Sequence, residues 1–304
     1  MVREGYAVAI DGSPIYYRVL GREDGPTLAL CDGIGCDGYV WKYLIPELAS
    51  EYRLVHWHYR GHGRTPTPRD RRRLGIPDLA DDLASVLDAT ETPRATLMGH
   101  SMGVQVCLEG FRRHHERVNG LVLMCGSYGH PLRTFKGQKT MEGLLPWVSF
   151  SVGLAPKLTS AFLRYTLPTK VAYAVAARME INGDLVKLED FMPYLEHIGN
   201  LDPTLFLGML AQAGRHSARE ILPTVDVPAL IVAGTRDGFT PGRLSEEMHD
   251  LMPGSELLMI ADGSHTAPIE RPDLVCRTVH RFLDERVASQ THDQVPVTPS
   301  RAAR

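Results

Sequence analysis

Two patterns of apolar residues alternate along the chain. Residues 28–31, 54–58, 95–98, 121–125, 229–233 and 256–260 form short, nearly continuous apolar runs. Such runs suit strands covered on both faces. Ahead of them, residues 6–10 and 15–19 flank Asp11-Gly12, the pattern of a hairpin. Between the runs, apolar residues recur every three or four positions. One predicted helix opens at Pro77-Asp78 with Leu79, Leu83, Val86 and Leu87 on one face. A second starts at Met102 and spaces Val104, Cys107, Leu108 and Phe111 helically. A last one opens at Pro272-Asp273 and carries Val275, Val279, Phe282 and Leu283. Strand and helix in alternation predict a mostly parallel, eight-stranded α/β sheet flanked by helices.

The rhythm breaks between 129 and 219, where helical patterns follow one another without strands. This stretch is expected to be a helical insertion into a core made of residues 1–128 and 220–287. It holds two uncharged apolar clusters. One contains Leu144, Leu145, Trp147, Val148, Phe150, Val152 and Leu154; the other contains Leu205, Phe206, Leu207, Met209 and Leu210. Much of this area is expected to bury against the core and some to roof a ligand pocket. Residues 288–304 show no periodicity and are expected to be disordered.

Composition narrows the class. Lys+Arg 33 against Asp+Glu 36 leaves −3, so no basic field for nucleic acid exists. The longest uncharged apolar stretch, 143–156, is interrupted by Pro146 and Pro156 and is shorter than the roughly 17–25 residues of a membrane span. The start, Met-Val-Arg-Glu-Gly, lacks a secretory apolar run. The five cysteines, odd in number and without a CxxC, read as reduced thiols. A cytoplasmic protein without stable membrane insertion is expected.

Candidate chemistry gathers at the ends of the apolar runs. Gly99-His100-Ser101-Met102-Gly103 falls where a strand meets a helix. A serine on such a turn projects its hydroxyl from the sheet edge, and the following helix N-terminus favours negative charge. Serine needs a base and a group to orient the base. His265 follows the run 256–260 and Asp237 follows 229–233. All three lie past strand carboxyl ends, where open α/β sheets build sites. Asp262 is a rival orienter, but it shares a tight loop with His265 and suits a turn.

The order Ser…Asp…His, on this pattern of strands, resembles the α/β-hydrolase fold superfamily from Tyr6 to Val287. Arg60-Gly61-His62-Gly63-Arg64-Thr65 resembles its loop after the fourth strand, and Glu270-Arg271-Pro272-Asp273 its stretch after the catalytic histidine. The resemblance implies Ser101 as nucleophile, His265 as base, Asp237 as acid and the helical insertion as a cap. It places the oxyanion hole at the Met102 amide and at Ile34, in Asp32-Gly33-Ile34-Gly35. The chain departs from the family pattern at Asp32, where a histidine is usual, at His58 and at Val104. Trp41, Trp147, Phe150 and Phe239 are candidate pocket residues.

The remaining motifs are less distinctive. Gly33-Ile34-Gly35-Cys36-Asp37-Gly38 satisfies the dinucleotide fingerprint G-x-G-x-x-G, but the acid expected about 20 residues on is missing. His56, His58 and His62 lack carboxylates at zinc-ligand spacing. Arg69-Asp70-Arg71-Arg72-Arg73 suits a solvated loop, and His100 a packing role. The expected activity is hydrolysis of a carboxylic ester or lactone of a small-to-medium apolar substrate, through an acyl-enzyme and without metal or organic cofactor. Carbon–carbon bond hydrolysis, perhydrolase or haloperoxidase-like chemistry and acyl transfer use the same triad. A non-catalytic receptor on this scaffold is the alternative of another class.

Overall fold

A computed structural model describes residues 2–134, 140–179 and 181–289. Its sheet has eight strands: β1 (Arg3–Val8), β2 (Pro14–Gly21), β3 (Thr27–Cys31), β4 (Arg53–Trp57), β5 (Ala95–His100), β6 (Val118–Met124), β7 (Ala229–Gly234) and β8 (Glu256–Ile260). Their order across the sheet is β1-β2-β4-β3-β5-β6-β7-β8. The pairs β1–β2 and β2–β4 are antiparallel and all others parallel. β5 and β7 are buried at every position, so their continuous apolar runs follow from being covered on both faces. β1 is displaced from the expected 6–10. It is an edge strand with one fully buried residue, Ala7, and Ile10 beyond it is exposed. The ladder from Arg3↔Val19 to Val8↔Pro14 sets its limits, not an apolar pattern.

The two faces of the sheet carry separate cores. Leu28, Leu30, Met98, Val122 and Val232 point to one face. There they meet Leu44 and Leu48 of α1 (Leu44–Leu48) and Val275, Val279 and Phe282 near the C-terminus. Ala29, Cys31, Leu97, Leu121 and Ile231 point to the other. They meet α2 (Ile76–Ala89) and α3 (Met102–Arg113), whose Leu79, Leu83, Val104 and Phe111 are buried. Asp78 accepts a hydrogen bond from the Gly75 N–H at 3.1 Å and closes the first turn of α2.

Between β6 and β7 the described residues form no strand; the α-helices there are α4 (Pro131–Thr134), α5 (Thr140–Leu154), α6 (Pro156–Thr166), α7 (Lys170–Met179), α8 (Leu188–Asn200) and α9 (Pro203–Arg215). This is the cap. Its two ends meet: Gly129 and Ser217 form an antiparallel bridge, and the Ala218 N–H donates to Tyr128 O at 2.8 Å. After β7 come α10 (Gly242–Leu251), β8, α11 (Ala267–Glu270) and α12 (Pro272–Phe282). Of the expected disordered tail, residues 290–304 lie outside the described residues. No described helix is long and apolar enough to cross a membrane.

Candidate active site

Ser101 stands between β5 and α3 with φ 56° and ψ −118°. A non-glycine residue holds that conformation only where its surroundings over-determine it. They do so here. The Ser101 N–H donates to Met124 O at 3.0 Å, and Ser101 O accepts from the Val104 N–H at 3.0 Å. Strand and helix also touch: a Cβ at Gly99 would collide with Gly103 O, and one at Gly103 with Cys31 O. Both positions therefore require glycine.

His265 and Asp237 arrive on two loops tied to each other. The Arg236 N–H donates to Gly263 O at 2.8 Å, and the Thr235 N–H to Ile260 O at 3.1 Å. Buried Glu270 braces the histidine loop, accepting from the Ser264 N–H at 2.7 Å and the Thr266 hydroxyl at 2.9 Å. His265 Nε2 lies 2.9 Å from Ser101 Oγ, and His265 Nδ1 lies 2.9 Å from Asp237 Oδ2. The carboxylate fixes the proton on Nδ1 and leaves Nε2 to accept from the serine hydroxyl. Asp237 Oδ1 also accepts from the Phe239 and Thr240 amides, both at 2.8 Å. Burial alone would raise the Asp237 pKa; the facing His265 and these hydrogen bonds outweigh it, and the carboxyl lies below its ordinary range. The rival Asp262 is exposed, with φ 58°, in the turn before His265.

The third loop follows β3. Asp32 is wholly buried, and its carboxylate accepts from Trp41 Nε1 at 2.6 Å and pairs with His56 Nε2 at 2.9 Å. Burial opposes ionisation of Asp32, but the histidines beside it bring its pKa below the usual value. The Gly35 N–H donates to His62 Nε2 at 3.0 Å, while His62 Nδ1 lies 3.1 Å from Arg60 O. These bonds pin residues 32–35 against Ser101. A Cβ at Gly33 would sit 3.2 Å from the Ser101 Cβ. Ile34 and Met102 flank Ser101 in one cavity. Met102 opens α3, so its amide has no partner in the helical ladder. His100 lies behind, with Nε2 2.9 Å from His265 O. Burial lowers the pKa values of His62 and His100 to about 4, so both are neutral.

The sequence profile of the alpha/beta hydrolase fold matches residues 26–272, a span that contains every residue of this constellation. The chain belongs to the α/β-hydrolase family. Among its curated relatives is a probable esterase of Oryza sativa subsp. japonica. The two are 24% identical over 285 residues, 89% of this chain and 96% of that one. A pimeloyl-[acyl-carrier protein] methyl ester esterase of Neisseria meningitidis is 27% identical over 256 residues, 84% of this chain and 92% of that one. The crystal structure of the enol-lactonase from Burkholderia xenovorans LB400 shares the fold. It has a TM-score of 0.71 and 23% identity, over 92% of this chain and 100% of that one.

In this α/β-hydrolase a cavity of about 310 Å³ opens above Ser101. The cap supplies Pro131, Leu132, Tyr194, Phe206, Leu210 and Ala213 to its walls, and the sheet side supplies Ile34, Met102, Gln105, Phe239 and Thr240 among others. Phe239 was an expected pocket residue, and its ring centroid stands 4.9 Å from that of His265. Trp41 is corrected: it is wholly buried in the core on one face of the sheet, where its indole N–H donates to Asp32. Trp147 and Phe150 are also corrected. They are 73% and 63% exposed on α5 and do not line the cavity. Of the second apolar cluster, Phe206 and Leu210 face the cavity, while Leu205 and Met209 are buried in the core. Sequence reasoning missed Tyr194, Gln105 and Thr240. Only Thr240 had a local signal, three residues after an aspartate that caps its amide.

Proposed function

We propose that this hydrolase cleaves a carboxylic ester or lactone of a small-to-medium apolar substrate through an acyl-enzyme on Ser101. The observation that carries the reading is the unbroken hydrogen-bonded line Asp237–His265–Ser101, 2.9 Å at each link, beneath an apolar cavity. His265 Nε2 takes the proton of Ser101 as its oxygen attacks the carbonyl. Asp237 stabilises the imidazolium that forms. The Ile34 and Met102 amides receive the developing oxyanion, which is the larger part of such catalysis. His265 returns its proton to the leaving alcohol, then activates water to release the acid. The curated relatives bearing esterase names support an ester substrate, and the shape of the lactonase leaves lactones open.

The test is a panel of p-nitrophenyl esters of rising chain length, run beside lactones, β-diketones and peracid formation. Turnover of uncharged esters or lactones, with a fluorophosphonate labelling Ser101 alone, supports the proposal. Turnover confined to β-diketones or to peracid formation assigns the same triad to another reaction. Ligand binding without turnover refutes catalysis.

A further inference from the structure

Water-facing helices normally turn polar residues outward and apolar residues inward. The outer helices of the cap turn apolar residues outward as well. On α6, Leu158, Phe162 and Tyr165 recur at one face and are 74%, 65% and 80% exposed. The half-covered positions of the same helix include Thr159, Ser160 and Thr166. On α7, Val171 and Val175 are exposed one turn apart, and on α5 Trp147 and Leu154 are more than two-thirds exposed. Single apolar side chains on a surface mean little, but exposed apolar side chains repeated on three successive helices call for an occupant.

Charge identifies the occupant. Residues 140–179 contain four basic residues, Lys157, Arg164, Lys170 and Arg178, and one acidic residue, Glu142, in a chain of net charge −3. All four basic side chains are exposed, and Glu142 is bound to Arg133 at 3.0 Å. Apolar stripes edged by Lys and Arg match an anionic bilayer surface. Two copies of the same basic face would repel, which disfavours self-association. None of these helices can span a bilayer, so the face would lie on one. α5 and α6 pack on α9, and α6 and α7 on α8. α8 and α9 in turn wall the cavity above Ser101. We propose that the outer face of the cap, α5 to α7, docks on an anionic lipid surface and holds the cavity one helical layer from it.

Sedimentation of the full chain with vesicles tests this, independently of the catalytic reading. We expect binding to phosphatidylcholine vesicles rich in phosphatidylglycerol and weaker binding to phosphatidylcholine alone. The variant Leu158→Ser/Phe162→Ser is expected to weaken partition by on the order of tenfold or more, and Lys157→Glu/Arg164→Glu to abolish the preference for phosphatidylglycerol. Both should keep the parent thermal midpoint, since these side chains face water. Three results would each overturn the proposal: absence of vesicle binding by the parent chain, equal binding by the apolar variant, or a parent dimer in light scattering that Leu158→Ser/Phe162→Ser dissociates.

Discussion

On the sheet side of the cavity, Asp32, Asp237, His62 and His265 each make at least two hydrogen bonds. On the cap side stand Pro131, Leu132, Phe206, Leu210 and Ala213, which offer contact area but no polar side-chain atom, and Tyr194, whose hydroxyl is the one polar group among the cap's lining side chains. The two walls work by different physics. Hydrogen bonds are directional, so the floor can hold reacting atoms to fractions of an ångström. Apolar contact is non-directional and scales with area, so the roof can favour a size of substrate without fixing its atoms. Chemistry should therefore reside in the floor and selection in the roof.

The largest effect expected is at the floor's centre. Ser101→Ala should lower kcat by a factor on the order of 10⁶, measured on the best ester of the panel. An active alanine variant would remove the distinction between the walls. Next comes Asp237→Asn, expected to lower kcat by up to ~10⁴ by favouring the wrong imidazole tautomer, with the fold intact. Asp262→Asn should be nearly silent in the same assay. If it were the more damaging change, the orienting group would be Asp262.

The sheet beneath the cavity should also be the acid-sensitive part of the molecule. Burial, as the main cause, lowers the pKa values of His58, His62 and His100 to about 3, 4 and 4. The unfolded chain binds protons at these residues from about pH 6.5 downward, while the native state resists. Their stabilisation is thus complete above that range and is lost as the pH falls from about 6.5 toward 4. Each histidine contributes up to about 1.4 kcal/mol per pH unit. Urea midpoints measured between pH 7 and 5 should decline; a level profile would mean that these imidazoles are charged in the native state.

The smallest effect belongs to the roof. Each methylene received there contributes about 0.8 kcal/mol, close to fourfold in kcat/KM. The ratio should rise over the first few acyl carbons. Phe206→Ala should flatten that rise and change the acetyl ester by no more than about twofold. Equal loss on every chain length would make Phe206 part of the chemistry instead.

Legibility in the sequence followed the same division. Strands buried on both faces leave a run that no other element needs, so β3, β4, β5 and β7 could be placed within a residue or two, while β6 begins three residues before its expected start. The edge strand β1 carries no such mark, because its position depends on hydrogen bonds to β2. Ser101, Asp237 and His265 stood out because each follows a strand end. In the cap, apolar character misled. A rule that puts Trp147 and Phe150 inside presumes that every apolar cluster is covered by its own chain, and α5 breaks that presumption. Trp41 failed for the opposite reason: its partner, Asp32, is polar and buried. Tyr194 reaches the cavity through a helix–helix arrangement that no local pattern encodes.

The bridge between Gly129 and Ser217 has an evolutionary reading. A segment that leaves and rejoins the sheet at neighbouring residues closes its own circuit, and insertions or deletions within it place no strain on the strands to either side. The helices from α4 to α9 form such a detour, so the architecture can exchange this module wholesale while Ser101 and its partners stay in register. New specificities could then arise by replacing the lid of an old machine.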